Sequence, residues 1–257
     1  MGTIAQGRIL AWEGGSLWIF ETRTLAGSGM HTTDFHAHHA IQVTLSLGGR
    51  FELRTPETSM RGDAVAVAAD ASHVFQAEGL VAILFVEPES RAGRAVSRAL
   101  FAASHLASIP KERLGDLIDR LERTFRDPAA SDTAFEALGR AIVVRLAGEA
   151  GAEIPDLRVR KMIAYATSAI DRPLGLGDVA KVAGLSPSRA RHLFVEQTGL
   201  PFRTYLLWLR VTKAVEIFAS GRSLTEAAHE AGFSDSAHLS RTFRRMFGLN
   251  AASLRIE

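Results

Sequence analysis

The chain has 257 residues, 47% of them hydrophobic and 23% charged, which suits two modest folded domains or one large one and excludes a disordered chain. It has no cysteine, which excludes a disulfide framework, a thiolate metal site and a cysteine nucleophile. The net charge of +2 hides an asymmetry, with 15 Lys/Arg against 9 Asp/Glu in residues 156–257 and 15 against 19 in residues 1–155. A basic C-terminal part on a mildly acidic body puts nucleic acid among the candidate partners.

At the N-terminus no basic stretch precedes an apolar run, so no signal peptide is expected. The longest apolar runs are strand-length, far short of a membrane span, and a soluble cytoplasmic protein is expected. Residues 8–86 read mainly as short strands (17–23, 41–47, 50–55, 64–69 and 80–86) separated by Gly, Asp or Pro, the pattern of a barrel or sandwich. From Arg91 the pattern turns helical. Leu114, Leu117, Ile118, Leu121 and Phe125 follow helical spacing over 113–125, and a second helix is expected over 133–150. The small, Gly- and Pro-containing stretch 148–156 is the candidate linker, and everything after it reads as helix.

That C-terminal part contains a diverged internal repeat, 176-LGDVAKVAGLSPSRARHLFVEQTG-199 and 224-LTEAAHEAGFSDSAHLSRTFRRMFG-248. Each copy has a short Ala-containing helix, then A-G-[LF]-S, then a longer helix with a Phe and a closing Gly, the outline of a helix-turn-helix unit. Ser223 with Glu226 makes a capping box, Ser186 and Ser234 are expected N-caps, and Pro187 suits the first helical position. On the second long helix Leu239, Phe243 and Met246 should pack inward, leaving Ala237, His238, Arg241, Arg244 and Arg245 outward. Such a helix fits the major groove, where arginine makes bidentate contacts with guanine, and the small Ser236 and Ala237 allow close approach. On the first, Ala190, Leu193, Phe194 and Gln197 should face inward, with Ser188, Arg191, His192 and Val195 outward. The connecting helix 202–219, about 27 Å long at 1.5 Å per residue, can hold two recognition helices roughly one DNA turn apart. A helical bundle with a solvated basic face is the plain alternative, but it predicts neither the repeat nor the paired caps.

Residues 157–255 resemble the DNA-binding domain of the AraC/XylS transcriptional regulators, through 178-DVAKVAGLSPSRARHLF-194, 205-YLLWLRVTKAVEIF-218 and 226-EAAHEAGFSDSAHLSRTFRRMFG-248. By motif position the resemblance implies base contacts from Ser188, Arg191 and His192, then Ser236, Ala237 and Arg241. The chain departs from the family pattern at Ala190, His192, Ala251 and Leu254, where Leu, Arg, Pro and Tyr are usual.

Upstream, 31-HTTDFHAHHAIQVTLSLGG-49 is rich in histidine. His36 and His38 share one side of a strand because the side-chain period is two, Gln42 joins them after a bend, and His73 comes from a neighbouring strand. The pattern resembles the cupin barrel that precedes the DNA-binding domain in many AraC/XylS members. His36, His38 and His73 match the cupin metal positions, with Gln42 in place of the usual glutamate. The resemblance makes a divalent metal on His36, His38 and His73 one possible occupant and no cofactor certain, since sensor cupins of this family commonly bind organic effectors without metal; the other reading is that these histidines are hydrogen-bonded pocket lining. An eight-stranded barrel can enclose one small ligand, with Trp18, Phe20, Phe35, His36, His38, Gln42, Phe51, His73 and Phe75 as candidate lining.

The expected fold is therefore an all-β cupin-like barrel (1–90), helices that pack on it or on a second subunit (91–150), a linker (151–156), and an all-α tandem helix-turn-helix domain (157–257). The expected function is a transcriptional regulator, by family habit an activator. Its expected partners are double-stranded promoter DNA, a small-molecule effector, RNA polymerase and a second copy of the chain, with no membrane. A metalloenzyme of isomerase or dioxygenase type carrying a DNA-binding domain is the alternative; no other catalytic motif joins the three histidines.

Overall fold

A computed structural model describes residues 5–22, 31–148 and 156–256. The chain forms two compact units, one of Met1–Ala152 together with Phe243–Glu257, the other of Glu153–Thr242. The expected linker lies outside the described residues except for Asp156, which caps the helix that follows.

Among the described residues the first unit holds ten strands: β1 (Ala5–Trp12), β2 (Gly15–Thr22), β3 (His31–Thr32), β4 (Ile41–Ser46), β5 (Arg50–Arg54), β6 (Ser59–Arg61), β7 (Ala64–Val67), β8 (Val74–Val86), β9 (Leu106–Ser108) and β10 (Leu254–Ile256). The long β8 belongs to two layers. Residues 79–86 pair with β2 and 81–86 with β4, whereas 74–78 pair with β5 and 76–77 with β3. Gly79, at φ +76°, marks the change of direction, a backbone region that glycine enters without steric cost. The sequence pattern caught only 80–86 of this strand because Gln76, Glu78 and Gly79 interrupt its apolar run.

Strand alternation gives the main sheet two different faces. Leu17, Ile19, Ile41, Val43, Leu45, Ala82 and Leu84 point to one side and join the core with the helices that follow. Those helices are α1 (Arg91–Leu100), α2 (Lys111–Leu114), α3 (Leu117–Arg126) and α4 (Asp132–Ala147). The helix expected over 113–125 is thus two, broken at Gly115–Asp116. Leu114, Leu117, Ile118 and Leu121 are all buried in this core, as are Phe135, Leu138, Ile142 and Leu146 of α4. The helical stripes are therefore used in packing on the sheet; Val144, 68% exposed, is the large apolar residue of α4 left outside. Trp18, Phe20, Gln42, Val81, Ile83 and Phe85 face the other way.

The second unit contains α5 (Leu157–Ser168), α6 (Leu176–Val182), α7 (Pro187–Thr198), α8 (Phe202–Ala219) and α9 (Leu224–Glu230), and α10 (Ser236–Phe247) starts in it. Val159, Met162, Ala180, Ala190, Phe194 and Tyr205 form one core, with the Phe194 and Tyr205 rings edge to face at 5.2 Å. In the second copy Ala227, Ala228, Phe233 and Leu239 are buried, as is Trp208 of α8. The two copies of the repeat are thus two helix pairs, α6–α7 and α9–α10.

The C-terminus does not follow the expected division. Residues 243–256 pack with the first unit, and residues 254–256, read from sequence as part of an all-helical tail, form β10. β10 runs parallel to β1, with Ala5 opposite Leu254 and Gly7 opposite Ile256. A three-residue strand carries too little pattern to be seen without its partner.

Candidate functional site

Two sets of residues carry chemistry, one on the paired helices and one on the inner face of the sheet. On the helices, the caps are the expected ones with one exception. The Ser223 hydroxyl accepts from the Glu226 amide at 3.2 Å while Glu226 accepts from the Ser223 amide at 2.9 Å. Ser186 accepts from the Arg189 amide at 3.4 Å. For α10 the cap is Asp235 and not Ser234: its Oδ1 accepts from the His238 amide at 2.7 Å, while the Ser234 hydroxyl donates to its other oxygen. A carboxylate at a helix N-terminus accepts a charge-assisted bond, which makes it the stronger cap here. That bond holds the Asp235 carboxyl below its usual range.

Ser188, Arg191 and His192 are exposed on α7, as are Ala237 and Arg241 on α10, so the outward face is the one the spacing predicts. Arg191 and His192 make no hydrogen bond or ion pair among the described residues. Ser236 and His238 are half-buried. The His238 ring stands edge-on to Phe233 at 5.1 Å, so it packs on the turn as well as facing out. At the other end of α10, Arg245 is exposed, and Arg244 donates to the Asp34 carboxylate at 2.8 Å within the first unit.

The inner face of the sheet lines a cavity of about 110 Å³. Trp18, Phe20, His36, Gln42 and Phe75 line it as expected, together with Val81, Ile83, Phe85, Phe247 and Leu254. Four expected lining residues are elsewhere: His38 and His73 are buried off the cavity wall, beside Gln42, and the two phenylalanines lie further away. Phe35 is 52% exposed with Arg54 over its ring, and Phe51 is buried in a separate core with Leu53, Val65 and Val67. The outer position of Phe35 follows from His36, its neighbour on the chain, pointing in. Val81, Ile83 and Phe85 were legible as one face of a strand, whereas nothing local marks Phe247 as a pocket residue. Its ring lies 5.1 Å from Trp18 and 5.7 Å from Phe85.

His36, His38 and His73 do come together, and one nitrogen of each lies within 4.8 Å of the others. All three are buried and kept neutral. Burial pushes His36 down to about 4, His38 well below its usual 6.5, and His73 in the same direction. In each ring Nδ1 faces a backbone carbonyl: Asp34 at 2.8 Å, Ala40 at 3.2 Å and Ala71 at 2.9 Å. A carbonyl only accepts, so each Nδ1 carries the hydrogen and each Nε2 is an acceptor. Gln42 Oε1 stands 3.1 Å from His38 Nε2 and 3.3 Å from His73 Nε2, and Gln42 Nε2 stands 3.0 Å from Thr44 Oγ1. Two ring acceptors facing an amide oxygen are mismatched, so the amide is assigned turned over, with its NH₂ end toward the rings. Gln42 then donates one hydrogen to each ring, and its oxygen accepts from the Thr44 hydroxyl.

This donor set fits a divalent metal poorly. A tetrahedral site with metal–nitrogen bonds near 2.0 Å places its nitrogens roughly 3.3 Å apart, whereas these lie within 4.8 Å of one another and would have to draw together around an ion. Among the described residues no carboxylate joins them, and with its amide turned over Gln42 engages two of the three rings. Beside them, His39 has the opposite character. Burial lowers its pKa, but a hydrogen bond to Asp70 at 2.8 Å and the Glu89 carboxylate 3.3 Å from its other ring nitrogen outweigh this and hold it at about 9.

A family model described as a helix-turn-helix domain matches residues 179–256. Over 89 residues the chain is 37% identical to the HTH-type transcriptional regulator GlxA of Rhizobium meliloti, covering 34% of this chain and 28% of that protein. Over 149 residues it is 30% identical to the HTH-type transcriptional activator RhaS of Escherichia fergusonii, covering 56% and 54%. The matched part thus spans between about a quarter and a half of the length of these curated relatives. The crystal structure of ToxT from Vibrio cholerae O395 superposes with a TM-score of 0.62 at 13% identity, covering 94% of this chain and 96% of that one, which shows a shared fold. A further ToxT structure, with a TM-score of 0.58 at 11% identity over 92% of this chain and 93% of that one, holds an unsaturated fatty acid.

Proposed function

Because its C-terminal domain is of the AraC/XylS helix-turn-helix type, we propose that this chain is a sequence-specific DNA-binding transcriptional regulator whose β-rich unit senses a small molecule. The observation that carries the reading is the repeated, capped helix pair with Arg191 and Arg241 on its exposed face. Arginine at these positions suits bidentate contact with guanine in the major groove. The aromatic-walled cavity in the other unit, and the fatty acid held by the structurally similar ToxT, support the sensor part.

In this reading the effector binds one arrangement of the protein more tightly than another and so shifts its population. Activation, contact with RNA polymerase and action as a homodimer belong to the same proposal, RhaS being an activator by its name. The alternative, a metalloenzyme, needs three imidazoles available to a cation, and Gln42 engages two of them.

The test is salt-dependent binding of the full chain to the DNA upstream of its own coding sequence. Wild type should bind that DNA specifically, and Arg241→Ala should weaken it by about 1–3 kcal/mol while relaxing the base preference at one position. Equal loss on specific and random DNA would mean that Arg241 contacts phosphate only. No specific binding by wild type, with or without extracts of small molecules, would sink the proposal.

A further inference from the structure

The cavity has apolar walls, chiefly Trp18, Phe20, Ile83, Phe85 and Phe247, and its described lining includes no Lys, Arg, Asp or Glu. Most polar groups along it are already engaged. Thr22 donates to the Gly79 carbonyl, Thr33 accepts from the Phe75 amide, and Ser253 donates to the Asn250 carbonyl. Gln42 is held by His38, His73 and Thr44. His31, the other ionisable group of the lining, is half-buried and has a partner of its own.

His36 is different. It is 94% buried, being 6% exposed, and its Nδ1 is committed to the Asp34 carbonyl. Its Nε2 has no hydrogen-bond partner among the described residues. A neutral imidazole in that tautomer offers one lone pair and no proton. His36 lines the cavity and its Nε2 is not sealed from solvent, so a ligand that supplies a donor replaces a bond to water there, whereas one that brings a second acceptor displaces that water and loses the bond. An anion fares worst, because it is desolvated against a lone pair with no opposite charge beside it.

We propose that this cavity takes a neutral, compact, largely apolar molecule that gives one hydrogen-bond donor to Nε2 of His36. The inference rests on reading this unit as a sensor. At about 110 Å³ the space is close to a single ring, since an apolar cavity of roughly 150 Å³ accommodates benzene. Phenol has the right size and donor, toluene the size without the donor, and benzoate the ring with a charge.

The experiment titrates these three probes into the full-length protein at pH 7 by calorimetry and follows the imidazole nitrogens by NMR in histidine-labelled protein. Phenol and toluene should bind, benzoate should fail to bind at ten times their concentration, and only phenol should move the His36 Nε2 resonance. In His36→Phe, phenol should lose about three- to tenfold in affinity relative to toluene, the loss of one hydrogen bond. If that variant does not fold, the resonance shift in wild type decides the point alone. Benzoate binding as tightly as phenol, an unmoved Nε2 resonance with phenol bound, or no binding of any probe overturns the inference. Phenol that binds as described but leaves DNA affinity unchanged when saturating overturns the sensor reading and leaves the pocket chemistry standing.

Discussion

The ring of Phe247, the last residue of α10, lies 5.1 Å from the indole of Trp18 in β2, 229 positions earlier in the chain. Phe247 also meets His38 and Phe243, and the backbone of the next residue continues the contact: the Gly248 carbonyl accepts from the Asp34 amide at 2.8 Å. Phe247 is 5% exposed, so Phe247→Ala should lower stability by about 3–5 kcal/mol, the usual loss for a buried phenylalanine. Urea denaturation of the full chain, followed by Trp fluorescence, reads this directly. A loss below about 1 kcal/mol would mean that residues 243–256 do not form a wall of the first unit.

The Gln42 network predicts indifference to metals. Chelation by EDTA and addition of zinc, manganese or nickel ions should leave the melting temperature of wild type unchanged. Gln42→Leu should be destabilised by about 1–3 kcal/mol for each buried imidazole acceptor that loses its donor. A tight divalent site, seen as a metal-dependent rise in melting temperature that His73→Ala removes, would restore the cupin-type assignment.

Opposed histidines set the pH dependence of stability. His36, His38 and His73 are held below their ordinary 6.5, so what they contribute is present above pH 6.5 and is lost as pH falls toward 4, the value for His36. His39 is held at about 9, so its contribution is full below pH 6.5 and is lost as pH rises through 9. Stability should therefore peak near pH 6.5. His39→Gln should flatten the alkaline limb and leave the acid limb in place, and an unchanged alkaline limb would remove His39 from the account.

The turn glycines of the repeat should respond unequally. Both adopt a left-handed conformation, Gly184 at φ +67° and Gly232 at φ +76°. A Cβ on Gly184 meets nothing within 4 Å, whereas on Gly232 it would stand 2.3 Å from the Ile170 carbonyl oxygen. Gly184→Ala should cost about 1–2 kcal/mol, the penalty of that backbone region alone. Gly232→Ala should cost clearly more. Equal losses in thermal denaturation would mean that Ile170 moves aside without penalty.

Much of this protein was legible in its sequence because the signals were local. Ser223 with Glu226, Ser186 with Pro187, and the alternation of Ala190 and Phe194 against Arg191 and His192 each declare a helix end or face within a few residues. The sheet's alternation did the same for Trp18 against Leu17 and Gln42 against Ile41. Even the small error at the start of α10, Ser234 for Asp235, was a choice between adjacent caps that spacing does not rank. The histidines were found as a group because strand periodicity and motif position brought three of them together.

Tertiary structure decided what those groups do. Sequence shows a Gln where cupins have Glu, but only the geometry shows its amide spanning two imidazoles and leaving His36 Nε2 unmatched. Phe35 and Phe51 looked like pocket residues by type, and the direction of their side chains, which neighbours across the sheet fix, sent them elsewhere. Phe247 and β10 gave no local sign of their place because pairing and ring contacts with residues more than two hundred positions away define them. Short-range spacing sets which face of an element is apolar; which element that face meets is settled by packing among parts remote along the chain.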